Sequence, residues 1–201
     1  MAVITGNDSD NSLIGGAAAD QIRGLAGNDT LQGRGGNDLI LGAKDDEVIF
    51  GGNGADTLSG DDILALNDGT EIGVDVLIGG AGTDSLIAWG DDLLVGSGSN
   101  TLNAALVENL KNDPFATFIA GDGVQDTFVA VNKQQSGYTL TVAAYEVGVD
   151  LIDLSAFGVS GVSDFIEIQD KGNFFEAKTA TVDGAELVLR INANPNTLTY
   201  L

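Results

Sequence analysis

The chain has 201 residues, 43% of them apolar, which is enough for one large or two small domains with a core. Its 30 acidic residues face 8 basic ones, and the formal charge of −22 repels nucleic acid and anionic membranes and calls for neutralising cations. With no Cys and no His, disulfides, thiol nucleophiles, His-based triads and HExxH zinc sites are excluded.

The opening "MAVITGNDSD" has neither the basic nor the apolar region of a cleavable signal peptide, and no later run reaches transmembrane length, so membrane insertion is not expected. A period of nine residues then takes over. Gly15 to Arg23, Gly24 to Gln32, Gly33 to Leu41, Gly51 to Ser59 and Gly79 to Ile87 each open with glycine and place Asp sixth: Asp20, Asp29, Asp38, Asp56 and Asp84. The eighth position is apolar, as Ile22, Leu31, Ile40, Leu58 and Leu86. Gly6 to Ile14 and Gly42 to Phe50 are weaker copies, with Asn11 and Glu47 in the acidic place.

Each unit reads as a glycine turn followed by a three-residue strand with one side chain facing a core. One unit alone cannot offset the ordering entropy of its turn, roughly 1 to 2 kcal/mol per residue, so units must stack. If each unit reverses the chain, residues eighteen apart lie above one another. Stacked strands are about 4.8 Å apart, and two carboxylates at that rise repel by about 3.5 kcal/mol at an effective dielectric of about 20.

A hard divalent cation between successive turns removes the repulsion. Calcium takes six to eight oxygens at about 2.3 to 2.6 Å, from carboxylates and carbonyls together, whereas magnesium wants a strict octahedron and fits less well. The expected ligands for several calcium ions are the side chains of Asn11, Asp20, Asp29, Asp38, Glu47, Asp56, Asp75, Asp84 and Asp92, with the turn glycines Gly16, Gly27, Gly36, Gly54 and Gly82.

The pattern GGxGxDxUx, carried by these units, resembles the calcium-binding nonapeptide of RTX (repeats-in-toxin) proteins. The resemblance implies a parallel β-roll, a right-handed β-solenoid with calcium in the turns, followed by an antiparallel β cap. It also implies a bacterial protein exported by a type I secretion apparatus to the extracellular space or cell surface.

Between Ser59 and Thr70 the repeat slips, and "AWGDDLLV" is one residue short. Treating the two irregularities as nearly cancelling puts Asp20, Asp38, Asp56, Asp75 and Asp92 on one edge and Asn11, Asp29, Glu47 and Asp84 on the other. The second edge then has a gap near Asp61 to Asp68, a stretch read as a solvated loop in preference to an extra ion site at Asp61, Asp62 and Asp68. The same parity puts the outward apolar pairs Leu39 with Leu41, Val76 with Ile78, and Leu93 with Val95 on one face, and Val48 with Phe50 on the other. Such a stripe needs a cover, the chain's own later segment being favoured.

From Gly96 the glycines thin. "NTLNAALVENLKND" fits an amphipathic helix with Leu102, Leu106 and Leu110 four apart, and equally fits irregular coils of the same roll. "GDGVQDTFV" returns to register with Asp126 sixth, so the roll is expected over residues 1–129 and the cap over 130–201. In the cap, "GYTLTVAAYEV", "DFIEIQD", "FFEAKTATV" and "AELVLRIN" alternate as strands, with hairpin turns at Asp170 to Asn173 and Asp183-Gly184. "GVDLIDLSAF" resembles the closing stretch of RTX proteins, and the resemblance makes the tail "NPNTLTYL" both a last strand and a candidate export signal.

No catalytic constellation is readable: the carboxylate pairs Asp150 with Asp153 and Glu167 with Asp170 read as solvated strand ends. The function expected is a non-enzymatic folding module, disordered without calcium and folded by it after export, either as part of a larger secreted protein or alone. The alternatives are a surface adhesin or surface-layer element contacting cell-surface matrix, and an accessory module of an alginate-modifying enzyme. The latter would hold anionic polysaccharide through calcium or through Arg23, Arg34, Lys133, Lys171 and Lys178.

Overall fold

The computed structural model describes residues 1–61, 73–88, 92–98, 100–105, 115–119, 125–131, 138–142, 145–157, 159–179, 187–192 and 199–200. The glycine units appear as β1 (Val3–Thr5), β2 (Ser12–Ile14), β3 (Gln21–Leu25), β4 (Thr30–Gly35), β5 (Leu39–Ala43), β6 (Val48–Asn53) and β7 (Thr57–Asp61). They continue as β8 (Val76–Gly82), β9 (Ser85–Ala88), β10 (Leu93–Gly98), β11 (Thr101–Ala105), β12 (Phe115–Ile119) and β13 (Thr127–Val131). Then follow β14 (Tyr138–Val142), β15 (Leu151–Asp153), two short 3-10 turns, β16 (Phe165–Asp170), β17 (Phe175–Thr179) and β18 (Leu187–Ile191).

Odd and even strands separate. An eight-stranded sheet stacks β1, β3, β5, β7, β9, β11, β13 and β15, while a ten-stranded sheet runs from β2 through the even strands to β14, then β18, β17 and β16. Pairing is parallel throughout the stack and antiparallel for β16 with β17 and β17 with β18. This is the parallel β-roll with an antiparallel cap. The cap is not a separate layer, because β18 lies parallel to β14 and extends the same sheet.

The eighth-position side chains form the core. In one sheet Ile22, Ile40, Leu58, Leu86, Leu102, Phe128 and Ile152 sit in direct register, and in the other so do Leu31, Ile49, Leu77 and Leu94. All are at most 1% exposed. Each contributes roughly 1.5 to 3 kcal/mol on burial, and the register lets one apolar residue per unit suffice. Among the described residues this column opens only at the first coil, where Ile4 and Leu13 are half-buried.

One parity call is corrected by the register. β7 lies in the eight-stranded sheet and β8, the next described strand, in the ten-stranded one, so β8 takes the place of the unit that follows β7. Removing the ten residues 62–71 leaves Gly60, Asp61, Ile72, Gly73, Val74, Asp75, Val76, Leu77 and Ile78, one complete nonapeptide with Asp75 sixth and Leu77 eighth. An insertion inside a turn does not advance the coil, so every unit after it changes face relative to a simple count. The apolar pairs Val48 with Phe50, Val76 with Ile78, and Leu93 with Val95 therefore lie together on β6, β8 and β10, and Leu39 with Leu41 lies on the opposite sheet.

Further on, Thr101–Ala105 is a strand between β9 and β13, so the helix reading fails there; residues 106–114 lie outside those described. The turn at Asp170 to Asn173 joins β16 and β17, with Gly172 at φ +88° and its N–H on Asp170 Oδ1 at 2.7 Å. Asp183-Gly184 lies outside the described residues. At the far end the tail docks beside β15. Tyr200 bridges to Ile152, its ring lies 6.5 Å from that of Phe165, and the Thr199 N–H donates to the Tyr145 hydroxyl at 2.9 Å.

Candidate metal centres

The sixth-position residues sit where each turn enters its strand, and the coil period stacks them into two ladders. In the first, the backbone N–H of Asp20 donates to Oδ1 of Asp38 at 2.7 Å, that of Asp38 to Asp56 at 2.8 Å, and that of Asp56 to Asp84 at 2.9 Å. The series continues from Asp84 to Asn100 at 3.0 Å, Asn100 to Asp126 at 2.7 Å and Asp126 to Asp150 at 3.0 Å. In the second ladder Asn11 donates to Asp29 at 2.7 Å, Glu47 to Asp75 at 2.8 Å, and Asp75 to Asp92 at 2.8 Å. The edges expected from the sequence are thus corrected. Asp75 and Asp92 belong with Asn11, Asp29 and Glu47, Asp84 belongs with Asp20, Asp38 and Asp56, and the insertion leaves no gap.

Most of these carboxylates use one oxygen in the ladder and leave the second without a partner. The Oδ2 atoms of Asp29, Asp38, Asp56, Asp75 and Asp84, and both carboxylate oxygens of Glu47, are buried and have no hydrogen-bond partner. Every one of these residues is at most 3% exposed. A buried charged acceptor left unsatisfied costs more than the roughly 1 to 3 kcal/mol of a neutral one, so a column of them needs a cation.

The second oxygen occupies a place made by glycine. A Cβ at the first-position glycine would strike it: Gly24 against Asp29, Gly33 against Asp38, Gly51 against Asp56, Gly79 against Asp84, and Gly60 against Asp75. The Gly60 pair marks the interrupted unit as a true copy. In the fourth position Gly36, Gly54 and Gly82 have φ of +98°, +131° and +149°, and their carbonyls form a column, since a Cβ at Gly54 would meet the Gly36 oxygen and one at Gly82 the Gly54 oxygen. Gly16 and Gly27 enter differently: their N–H groups donate to Asp20 Oδ2 at 2.7 Å and to Asp45 Oδ2 at 2.9 Å.

The electrostatics follow the geometry. Burial, with Asp75, Asp29 and Asp61 adding repulsion, pushes the Glu47 carboxyl up to about 10. Burial also raises Asp61 to about 8 and Asp56 to about 6, and lifts Asp29, Asp38, Asp75 and Asp84 above the ordinary carboxylate value. Asp20 is the exception, lowered by backbone hydrogen bonds from Ala2 and Gly16. It stands at the end of its ladder, where no rung lies below it to repel it. Hard oxygens of both kinds, unpartnered and without thiol or imidazole, fit calcium and not a softer metal.

Residues 3–31, 23–58, 41–70 and 70–102 each match the RTX calcium-binding nonapeptide repeat. Residues 3–102 belong to the RTX family of calcium-binding nonapeptide repeats. RTX repeats bind Ca2+. No curated protein matches the chain. Among solved structures, the extracellular lipase LipA from Serratia marcescens is similar at 17% identity and a TM-score of 0.29 over 98% of this chain, which spans 39% of the lipase. The AlgE6R3 subunit of the Azotobacter vinelandii mannuronan C5-epimerase is similar at 20% identity and a TM-score of 0.25, over 98% of this chain and 80% of that one.

Three residues of the first ladder lie outside the ligand set expected from the sequence: Asn100, Asp126 and Asp150. Asp126 is in register in the sequence, whereas the expectation that Asp150 is a solvated strand end is corrected. Asp150 is fully buried, with Oδ1 on Asp126 and Oδ2 accepting the Glu146 N–H at 2.8 Å. The signal that finds all three is Asx followed two residues later by a core side chain, as in Asn100 with Leu102, Asp126 with Phe128 and Asp150 with Ile152. It persists after the glycines have gone.

Proposed function

We propose that the chain is a calcium-gated folding module of an exported bacterial protein, disordered in the calcium-poor cytosol and ordered outside. The observation that carries this is the stack of buried, unpartnered carboxylate oxygens on successive rungs. Without an ion the fold must bury adjacent negative charges; in the unfolded chain water solvates them, so the metal decides the balance.

The ions are held by Asp29, Asp38, Glu47, Asp56, Asp75, Asp84 and Asp92, with the Gly36, Gly54 and Gly82 carbonyls alongside. Asp20 and Asn11 close the ladder ends. At a dissociation constant on the order of 10⁻⁴ M, about 1 mM calcium adds roughly 1.4 kcal/mol per site, and several sites in register reach a sizeable share of a domain's stability. An unfolded, self-repelling chain also suits threading through a type I secretion channel.

Far-UV circular dichroism during a calcium titration tests the gating. The β signal should rise cooperatively with calcium and vanish in chelator; an identical spectrum in both conditions would overturn the reading. Export is tested separately by co-expression with a type I secretion apparatus, where retention inside the cell counts against that part alone.

A further inference from the structure

The insertion that interrupts the repeat enters directly after Asp61, and Asp61 is not a ladder residue. It takes the second position of its unit, where the preceding units have Gly52, Ala43 and Arg34, and it is the last residue of β7, in register with Ala43 of β5. Far from being loop, it is 2% exposed. Its Oδ1 accepts the Gly73 N–H at 3.3 Å, and its Oδ2 is buried with no hydrogen-bond partner.

Asp61 meets two rungs of the second ladder. One oxygen from each of Asp61, Asp75 and Asp92 lies within 4.8 Å of the others, and Asp75 and Asp92 are at most 1% exposed. Two ligands on one calcium at about 2.4 Å can be separated by no more than about 4.8 Å, so all three oxygens can touch a single ion. On both ladders an ordinary rung contributes one carboxylate per unit; here a single unit, Gly60 to Ile78, contributes two, and the next rung a third.

We propose that Asp61, Asp75 and Asp92 form a distinct three-carboxylate calcium site at the break in the repeat, tighter than the sites between ordinary rungs. The inference rests on the calcium reading above. The extra charge anchors the turn at the point where ten inserted residues would otherwise loosen it, and it makes this the first site to fill. Ordering β7 against β8 and β10 then sets the register on which both ladders extend.

Calcium binding by isothermal titration, with fold checked by circular dichroism in saturating calcium, decides the matter. In the wild type one ion per chain should bind at least tenfold more tightly than the rest. Asp61→Asn, which keeps size and removes the charge, should lose that tight class while the remaining sites stay within twofold. Wild-type binding described by one class of equal sites overturns the proposal, even if the variant fails to fold. Identical isotherms for wild type and Asp61→Asn overturn it while leaving calcium gating intact, whereas a wild type that binds no calcium defeats the gating reading itself.

Discussion

The backbone N–H of Asp56 donates to Oδ1 of Asp84 at 2.9 Å, across 28 residues of chain. Every earlier rung of that ladder spans 18, as from Asp38 to Asp56. The same 28-residue step joins Glu47 to Asp75 on the other edge, so both ladders pass the insertion without a fault.

Excising residues 62–71 should therefore leave the fold and its calcium response in place. Shortening the connection between Asp61 and Asp75 by ten residues should raise stability by about 1 kcal/mol through loop closure entropy. Chemical denaturation of the calcium-loaded chain checks this; a deletion variant without the calcium-dependent β signal would show the insertion to be part of the fold.

Glycine at the first position is required by space. In Gly33→Ala the new methyl would collide with Asp38 Oδ2 and lie 2.6 Å from the Gly51 carbonyl oxygen, both parts of the ladder. We expect a loss of about 1 to 3 kcal/mol together with weaker calcium binding. Gly172→Ala in the cap has nothing within 4 Å and pays only for its φ of +88°, so it should cost about 1 kcal/mol and leave calcium binding unchanged. Parallel melts and calcium titrations of the two variants separate space from conformation.

At the second position the need is conformational. Arg34 has φ +80° with an exposed side chain, where the unit two places on has Gly52. Arg34→Gly should stabilise the calcium-loaded fold by about 1 kcal/mol, raising Tm by roughly 2 to 4 °C. A lower melting temperature would show that the side chain contributes more than the strain costs.

Acid should act in opposite directions with and without calcium. Carboxyls raised in the fold, Asp56 to about 6, Asp61 to about 8 and Glu47 to about 10, favour the metal-free fold when protonated. That contribution is complete below the unfolded value of about 4 and is lost as pH rises through the folded values. In chelator, circular dichroism should show structure gained as pH falls from about 8 to about 5; in limiting calcium, the same change should weaken binding because protons compete for the oxygens. A metal-free chain that loses structure over that interval would contradict the burial of unpaired charge.

Local chemistry alone determined the unit: a glycine turn, an acidic sixth residue, an apolar eighth, and hence stacking, a shared core and a need for calcium. Those features were legible because each depends on residues within one nonapeptide. Which rung faces which was decided by the tertiary structure. An insertion of ten residues reads by count as one more unit, yet whether it reverses the chain depends on hydrogen bonds made to the coils above and below, and Asp75 and Asp84 exchanged edges accordingly. Asn100 and Asp150 became rungs for the same reason, since their neighbours in the ladder lie 16 to 26 residues away in sequence and are adjacent only once the coil has closed.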